Sequence, residues 1–493
     1  MWHIAALWVG MAVCIPTYML AASMIEAGML WWQAICTVML GNLIVLIPMI
    51  LNGHAGTKYG VPFPVFARAS FGTVGAHIPA ILRGLVACGW FGIQCWIGGA
   101  AIYQIIGAMG WFNIAEDTTV IPFLAITPMQ FGCFMAFWLL NLVIVLKGIK
   151  SIKWLETLAA PFLLLSGVAL LVWALLNVDS IKELFDQPSR FESNGQFWRV
   201  FFPQLTAMVG FWATLSLNIP DFTRYCKSQR DQAVGQLIGL PTTMTLFCFI
   251  GVVVTSATVM IFGEAIWDPV SLVPRLGTTG VVVVSLIALT VATLSTNLAA
   301  NVVSPANGFS NIAPSRISFR LGAIITCLIG IVIMPWRLYN DLGAYIFTWL
   351  IGYSALLGPI AGIMLADYYL LRRTRLNAEA LYDPEGEYAG VNWLAVLAFV
   401  LAVLPNTPGF VNAALNRTHE HARQSIDAHE QAAQAMLAEF GTIDELALPA
   451  LVDPIFPEIY DTLYGYAWFI GLFLAAGLYC LLMRGRIRQT NEQ

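Results

Sequence analysis

The chain has 493 residues, of which 59% are hydrophobic and 11% charged, with a mean hydropathy of +0.75 and a net charge of −4. Soluble domains carry roughly 25% charged residues, so the composition excludes a soluble globular protein and predicts an integral membrane protein. The apolar stretches contain no paired carboxylates, no His and Cys residues at metal-ligand spacing and no activated nucleophile. This argues against an enzyme, and we expect no cofactor and no nucleic-acid partner.

Apolar runs of about 20 residues recur along the chain, and each can cross about 30 Å of hydrocarbon as a helix. They predict an all-α fold with about twelve spans, near 4–24, 30–51, 80–109, 127–147, 155–177, 198–219, 235–262, 281–303, 319–335, 343–369, 391–405 and 462–483. If both termini lie inside, most Lys and Arg residues fall in inside segments, which favours a multi-pass cell-membrane protein with cytoplasmic termini. Met1 lies almost at the first span, so we expect no cleaved signal peptide.

Spans one and six each combine glycine with an Ile-Pro step, at Gly10–Pro16 and Gly210–Pro220. Proline inside a helix removes a backbone hydrogen bond and breaks or kinks the helix. Two broken helices five spans apart are typical of an inverted repeat of five plus five helices. The predicted division is a first repeat over 1–177, a second over 198–370, and two added helices over 391–483.

The segment between the last two predicted spans, 406–460, is expected to be an insert on the outer side. Its Asn416–Phe440 portion has the composition of an exposed helix and carries three of the six histidines. His419 and His421 point apart on a helix, and His429 lies about two turns further on. A solvated surface is therefore a better interpretation than a metal site.

Span three carries Trp90 and Gln94 one helical turn apart, so an aromatic face and an amide point the same way. The alternative is a Trp packed against neighbouring helices and a Gln bonded to backbone. Before this span, 56–72 is too rich in Gly and Pro to cross the membrane, and it predicts an ordered cytoplasmic connector.

Span eight gathers hydroxyls and amides within Thr290–Asn307. Asn297 and Asn301 lie four apart on one face, bordered by Ser295 and Thr296. Buried polar groups in a membrane indicate a functional site, although they also hold helices together in bundles.

Charged residues at the inner ends of two spans have structural alternatives. Asp221 and Arg224, after span six, form either an inner gate or a solvated turn. Asp367, in span ten, is expected to pair with a cation or to lie near the headgroups.

These stretches converge on one predicted cavity. Trp90 and Trp212 offer flat π faces for a heterocycle, while Gln94 and Asn301 offer donors and acceptors that suit a lactam or ureide edge. Since the pattern shows no buried charge partner, a neutral substrate is favoured. The hydroxyls of Ser295 and Thr296, with carbonyls freed near Gly10 and Val13, suit a small hard cation.

Six segments, spread in order over nearly the whole chain, resemble the nucleobase:cation symporter-1 family: Lys58–Pro64, Arg68–Gly72, Trp90–Gln94, Asn218–Phe222, Ser295–Asn301 and Gly358–Tyr368. The resemblance implies a LeuT-type fold of twelve helices. It also implies uptake of a small heterocycle such as uracil, cytosine, allantoin or hydantoin, driven by Na⁺ or H⁺. In the implied mechanism spans 1, 2, 6 and 7 rock against spans 3, 4, 8 and 9.

Site residues follow from the same resemblance. It implies substrate stacking on Trp90 and Trp212 and hydrogen bonds from Gln94 and Asn301, with Asn297 as a further candidate. Cys14 departs from the family, since an amide or another polar residue is usual there. For the cation, the resemblance implies carbonyls of Gly10, Val13 and Ala292 and hydroxyls of Ser295 and Thr296.

Three further functions stay open at this point. A channel predicts flux without saturation, and a nutrient sensor predicts binding without transport. A cation-coupled carrier of amino acids or other small solutes, with the same fold, is the main alternative.

Overall fold

The computed structural model describes residues 1–147, 149–187, 189–313, 315–339, 344–415 and 454–486. Twelve helical segments, two of them divided, correspond to the predicted spans. They are α1a (Trp2–Ala12), α1b (Ile15–Glu26), α2 (Trp31–Tyr59), α3 (His77–Ala108), α4 (Pro128–Lys147), α5 (Ile149–Asn177), α6a (Asn194–Phe211), α6b (Ala213–Asn218), α7 (Gln229–Phe262), α8 (Thr279–Asn301), α9 (Phe319–Val332), α10 (Ala344–Leu371), α11 (Trp393–Ala414) and α12 (Ala467–Met483).

Short helices join these spans. They cover Phe63–Phe66, Arg68–Phe71, Ile181–Phe185, Pro220–Thr223, Pro269–Leu272, Val303–Ile312, Pro335–Tyr339 and Ile459–Tyr464, with 3₁₀ turns at Ile114–Glu116, Val273–Arg275 and Leu404–Asn406. The pair in 63–71 confirms the ordered connector before α3. Wider π-helical turns form both ends of α10.

Within the described residues, seven helices are long and apolar enough to cross a membrane, or eight if the bent α1a–α1b pair counts as one span. Shorter apolar helices lie in α5, α9 and α12. With α6a and α6b these complete the predicted twelve spans, so the all-α membrane fold is confirmed. Several helices extend past the apolar runs, as α2 does to Tyr59, because the run marks the hydrocarbon layer rather than the helix end.

Both predicted breaks exist, at positions that differ from the prolines. Helices α1a and α1b meet at a 63° bend. The break falls at Val13 and Cys14, and Pro16 lies in the first turn of α1b, where its missing N–H costs no helical bond. Span six breaks at Trp212, about two turns before Pro220, which instead begins a short helix.

Side-chain hydrogen bonds connect the first, second, sixth and seventh spans. Asn52 of α2 donates to the Ser216 carbonyl of α6b over 2.7 Å. The Cys248 thiol of α7 donates to the Thr17 carbonyl of α1b over 3.5 Å. Gln232 of α7 donates to the Ile50 carbonyl of α2 over 3.2 Å and thereby joins the two pairs. We call these four spans the bundle.

A second set of bonds connects the third, fourth, eighth and ninth spans. Trp138 of α4 donates to the Cys327 carbonyl of α9 over 2.8 Å. Asn297 of α8 donates to the Phe91 carbonyl of α3 and to the Asn141 side chain of α4, each over 3.3 Å. We call these four spans the scaffold.

Glycines of α3 allow the scaffold helices to approach closely. A Cβ atom on Gly92 would lie 2.5 Å from the Gly330 carbonyl oxygen of α9, and one on Gly99 would lie 2.6 Å from the Phe134 Cα of α4. Because real Cβ atoms do not come so near to backbone, a side chain at either position would push these helices apart. This packing fixes the helix that carries Trp90 and Gln94.

The first residues of the predicted insert, 406–460, are helical. The chain remains helical past 405, since α11 continues to Ala414, where Asn412 donates to the Phe456 carbonyl and to the Asp461 carboxylate. Residues 416–453, with the three histidines and the whole of the predicted exposed helix, lie outside the described residues. The division into 1–177, 198–370 and 391–483 stays a prediction.

Asp367 pairs with a cationic side chain, which is one of the two alternatives expected from the sequence. Arg372 donates to this buried carboxylate over 2.9 Å and also pairs with Glu387 over 2.8 Å. Ser70 and Tyr479 donate to the same carboxylate. The network thereby joins α10 and α12 to the connector that precedes α3.

Replacing Arg372 with alanine is expected to destabilise the protein by about 3–5 kcal/mol, because it leaves a buried carboxylate without its cation. The midpoint of thermal unfolding in detergent should fall clearly. Glu264→Gln is the matched control, since Glu264 and Arg275 form an exposed pair that contributes little. Equal midpoints for the two variants would contradict the structural role of the buried network.

Candidate functional site

The two helix breaks face α3 and the end of α8 across one cavity, which encloses about 540 Å³ of space counted to its open mouth. Six of the predicted site residues line it: Cys14, Trp90, Gln94, Trp212, Thr296 and Asn301. The cavity is therefore the place where the predicted stacking and hydrogen-bonding groups meet.

Perpendicular ring contacts hold the cavity's aromatic residues. Phe211 lies against both tryptophans, with ring centroids 5.2 Å from Trp90 and 5.0 Å from Trp212. Trp8 packs on Trp212 at 5.1 Å, and Trp349 packs on Trp90 at 6.0 Å. Because edge-to-face contacts fix ring orientation, a flat ligand meets aromatic faces that are already positioned.

Three polar atoms of residues in the cavity wall have no hydrogen-bond partner among the described residues. They are the Gln94 Oε1 acceptor and the Trp212 Nε1 and Arg83 Nε donors, and all three side chains are buried. Buried polar atoms without partners are costly, so such atoms in a cavity indicate that a ligand supplies the missing bonds.

Asn301 and Asn297 share a helix face but have different surroundings. Asn301 lines the cavity and donates over 3.1 Å to the Asn297 side-chain oxygen. Asn297 does not line the cavity; its amide nitrogen is directed to α3 and α4. The structure therefore places Asn297 behind the wall, bonded to Asn301, and its role as a substrate contact stays a prediction.

Cys14 caps the first turn of α1b at the cavity. Its sulfur lies 3.2 Å from the Thr17 hydroxyl, with which it forms a hydrogen bond. A thiol is a weak donor and a weak acceptor, so this position offers a ligand less hydrogen bonding than an amide would.

The break in span one frees the two carbonyls predicted to bind a cation. The Cys14 N–H donates to the Ala12 carbonyl over 3.0 Å instead of to Gly10. The Thr17 N–H donates to the Cys14 carbonyl over 3.1 Å instead of to Val13. The carbonyls of Gly10 and Val13 therefore lose their helical partners.

The other cation candidates lie on α8. Ala292 and Ser295 are buried, whereas Thr296 lines the cavity. Carbonyl and hydroxyl oxygens are hard ligands that suit a small hard cation, so the chemistry of this set fits Na⁺. Their roles stay predictions.

A second cavity, called the vestibule, shares one wall residue with the first. It holds about 1050 Å³ of space, counted out to open solvent, and lies between the connector, the turn after α6b and the Val303–Ile312 helix. Arg83 of α3 lines both cavities. It donates to Ser304, and its guanidinium lies 2.8 Å from the Asn218 side-chain oxygen in the amide orientation that satisfies both groups.

Asp221 and Arg224 both line the vestibule but form no ion pair with each other in the described part of the chain. Asp221 accepts from the Phe63 N–H over 2.7 Å, and Arg224 lies over the Tyr225 ring. Burial raises the pKa of the Asp221 carboxyl, although the Phe63 N–H and the Arg83 charge act in the opposite direction. The predicted direct gate pair is thus absent from this conformation.

Sequence reasoning missed several wall residues, above all Arg83 and Phe211. Arg83 lies seven residues before Trp90, on the same face of α3, so helical spacing contained the signal. The pattern in the sequence showed no buried charged group at the cavity, whereas the structure places the buried Arg83 in its wall. Phe211 adjoins Trp212, but only the break shows that both face the cavity.

Residues 1–428 match the family model described as permease for cytosine/purines, uracil, thiamine, allantoin. The chain belongs to this permease family. It is therefore a membrane transporter and not an enzyme, and the predicted resemblance to the nucleobase:cation symporter-1 family is confirmed.

Curated relatives of this permease family include the purine-uracil permease NCS1 of Arabidopsis thaliana. That protein is 47% identical over 413 residues, which cover 83% of this chain and 68% of the relative. The allantoin permease of Bacillus subtilis (strain 168) is 35% identical over 488 residues, 98% of this chain and 89% of the relative.

Among solved structures, the inward-facing conformation of the transporter Mhp1 superposes with a TM-score of 0.74 at 25% identity, covering 98% of this chain and 90% of that chain. A closed conformation of Mhp1, a nucleobase-cation-symport-1 family transporter, with bromovinylhydantoin bound superposes with a TM-score of 0.71. The match covers 98% of this chain and 91% of that chain. The LeuT-type fold implied by the family resemblance is confirmed.

Proposed function

We propose that this permease imports a nucleobase-like heterocycle or ureide of the uracil, cytosine, allantoin and hydantoin class, coupled to Na⁺ or H⁺. The observation that carries the proposal is the cavity between the two helix breaks. There, fixed aromatic faces border buried polar atoms that have no protein partner. The names of the two relatives, a purine-uracil permease and an allantoin permease, support the same class.

Each cavity residue has a proposed role. Trp90 and Trp212 stack on the ring, while Gln94 and Asn301 hydrogen-bond its polar edge. Cys14 contacts the substrate without a strong hydrogen bond. Asn297, bonded to α3 and α4, holds Asn301 in place.

The proposed cation ligands are the carbonyls of Gly10, Val13 and Ala292 and the hydroxyls of Ser295 and Thr296. The first two belong to the bundle and the other three to the scaffold. A cation that binds both groups favours the conformation in which they meet, and this links its gradient to substrate movement. If the coupling ion is a proton, these five oxygen ligands have no role in coupling.

Alternating access follows from the two groups of helices. Hydrogen bonds connect the bundle internally and the scaffold internally, so each moves as one body. The vestibule gives the cavity an exit at the end of α6b. We assign this end, together with both termini, to the cytoplasmic side of the cell membrane, because most Lys and Arg residues then lie inside.

A C-terminal epitope tag should bind antibody only in permeabilised cells.

The experiment is a panel of radiolabelled uracil, cytosine, xanthine, allantoin, hydantoin and amino acids, supplied to cells that express the protein. We expect saturable uptake of at least one heterocycle or ureide and none of the amino acids. Cells with an empty vector are the control. Saturable uptake confined to amino acids would favour the carrier alternative, and non-saturable flux would favour a channel.

A further inference from the structure

Arg83 is a buried cation in the wall of the substrate cavity. Its side chain is only 6% exposed, and it is located on the same face of α3 as Trp90 and Gln94. Ser304 and Asn218 accept from its guanidinium, but its Nε has no partner in the described part of the chain. No carboxylate among the described residues forms an ion pair with it. The hydrogen-bond acceptors of the guanidinium are therefore neutral oxygens, and the Asp221 carboxylate in the vestibule acts on Arg83 only through space.

A guanidinium carries five N–H donors in a planar fork. The oxygens of Ser304 and Asn218 do not satisfy all five donors of Arg83. A buried charged group with too few acceptors costs free energy in a membrane protein. An acceptor oxygen on a ligand would complete the set. Because Arg83 also lines the vestibule, such an oxygen stays within its reach as a ligand leaves the cavity.

The atoms without partners around the cavity define a donor and acceptor pattern. Arg83 Nε and Trp212 Nε1 are donors, and Gln94 Oε1 is an acceptor. A complementary ligand supplies two acceptor oxygens and one N–H. The smallest planar group with this composition is an imide edge, in which one N–H lies between two carbonyls.

We propose that Arg83 is a specificity-determining substrate contact that selects heterocycles with an imide edge over those with an amino group in place of one carbonyl. The proposal rests on the proposed function and narrows its substrate class to dioxo rings. An exocyclic amino group would direct a donor at the Arg83 donors. Discrimination of this kind is strong, because the mismatched ligand leaves buried groups on both sides unpaired.

The test uses two matched pairs of competitors, uracil with cytosine and xanthine with guanine. The second member of each pair has an amino-substituted carbon where the first has an imide carbonyl. Inhibition constants are measured against the labelled panel compound with the highest uptake. In the wild type the dioxo member of at least one pair should inhibit at least about tenfold more strongly. In Arg83→Gln this ratio should fall by about tenfold, towards one.

Arg224→Gln is the matched control, since Arg224 lines the vestibule but not the substrate cavity. It should leave the ratio unchanged. Arg83→Lys provides a second variant if Arg83→Gln does not reach the membrane. It keeps the charge but loses the planar fork, so it should lower the ratio. Membrane abundance is measured for every variant.

An unchanged ratio in both Arg83 variants would overturn the proposal. So would a wild type that transports a panel compound but prefers cytosine and guanine, or shows no preference. If no panel compound is taken up at all, the proposed function itself fails. The two failures are therefore distinguishable.

Discussion

Replacing Trp90 with alanine is expected to abolish saturable uptake while the protein still reaches the membrane. Aromatic stacking contributes about 1–3 kcal/mol per base, and the substitution also removes the wall on which Phe211 and Trp349 pack. We expect kcat/KM to fall by about 100-fold, since the stacking loss and the misplacement of the remaining contacts add. The measurement is initial uptake rate against substrate concentration, normalised to membrane abundance.

Trp96→Ala is the matched control for this variant. Trp96 lies on the same helix and is similarly buried, but it packs against Phe134 and Trp336 rather than lining the cavity. Its loss should lower stability more than it changes KM. Normal uptake by the Trp90 variant, or equal loss in both variants at equal abundance, would contradict the stacking role.

Replacing both Ser295 and Thr296 with alanine is expected to remove the stimulation of uptake by Na⁺. Two of the five proposed oxygen ligands are lost, and each bond to a charged group contributes about 1.5–3 kcal/mol. The Na⁺ concentration for half-maximal uptake should therefore rise by at least about tenfold. Uptake in buffers of increasing Na⁺ at constant ionic strength measures this value.

Thr290→Ala is the control for the hydroxyl variant. The Thr290 hydroxyl already donates to the Leu286 carbonyl of the same helix over 2.7 Å. Its removal should leave the Na⁺ dependence unchanged. If wild-type uptake is the same without Na⁺, the coupling ion is a proton, and the assignment of Ser295 and Thr296 to Na⁺ fails.

The arrangement of the spans followed from the sequence because apolar length and buried prolines act locally. Each helix that crosses a membrane must satisfy its own backbone, so the apolar run reveals it without knowledge of its neighbours. The break in span one was visible for the same reason, since Pro16 cannot continue the preceding helix. Its position at Val13 and Cys14 depends on one turn of backbone bonding and was not predictable to the residue.

The cavity was predictable only in part. Helical spacing placed Trp90 with Gln94, and Asn297 with Asn301, but it does not show which member of a face meets empty space. Asn297 turns out to be bonded to α3 and α4, whereas Asn301 borders the cavity. That distinction depends on neighbours far away in the chain.

Arg83 illustrates the same limit. Helical spacing places Arg83 on the same face as Trp90, but an arginine at the end of an apolar run usually reaches the headgroups, so its place in the run favours an interface position. Here α3 begins at His77, so Arg83 lies within the helix. Asn218 at the end of α6b and Ser304 of the Val303–Ile312 helix accept hydrogen bonds from its guanidinium. Tertiary contacts thus make a cation expected at the interface part of the cavity wall.

The measurement that tests the transport function most directly uses purified protein in liposomes. A Na⁺ gradient or a pH gradient, inward-directed, is imposed separately, and radiolabelled uracil, allantoin and hydantoin are supplied outside. We predict accumulation of at least one compound above its external concentration under one of the two gradients, and none after the gradient is collapsed by an ionophore. Equilibration without accumulation under either gradient would contradict cation-coupled symport.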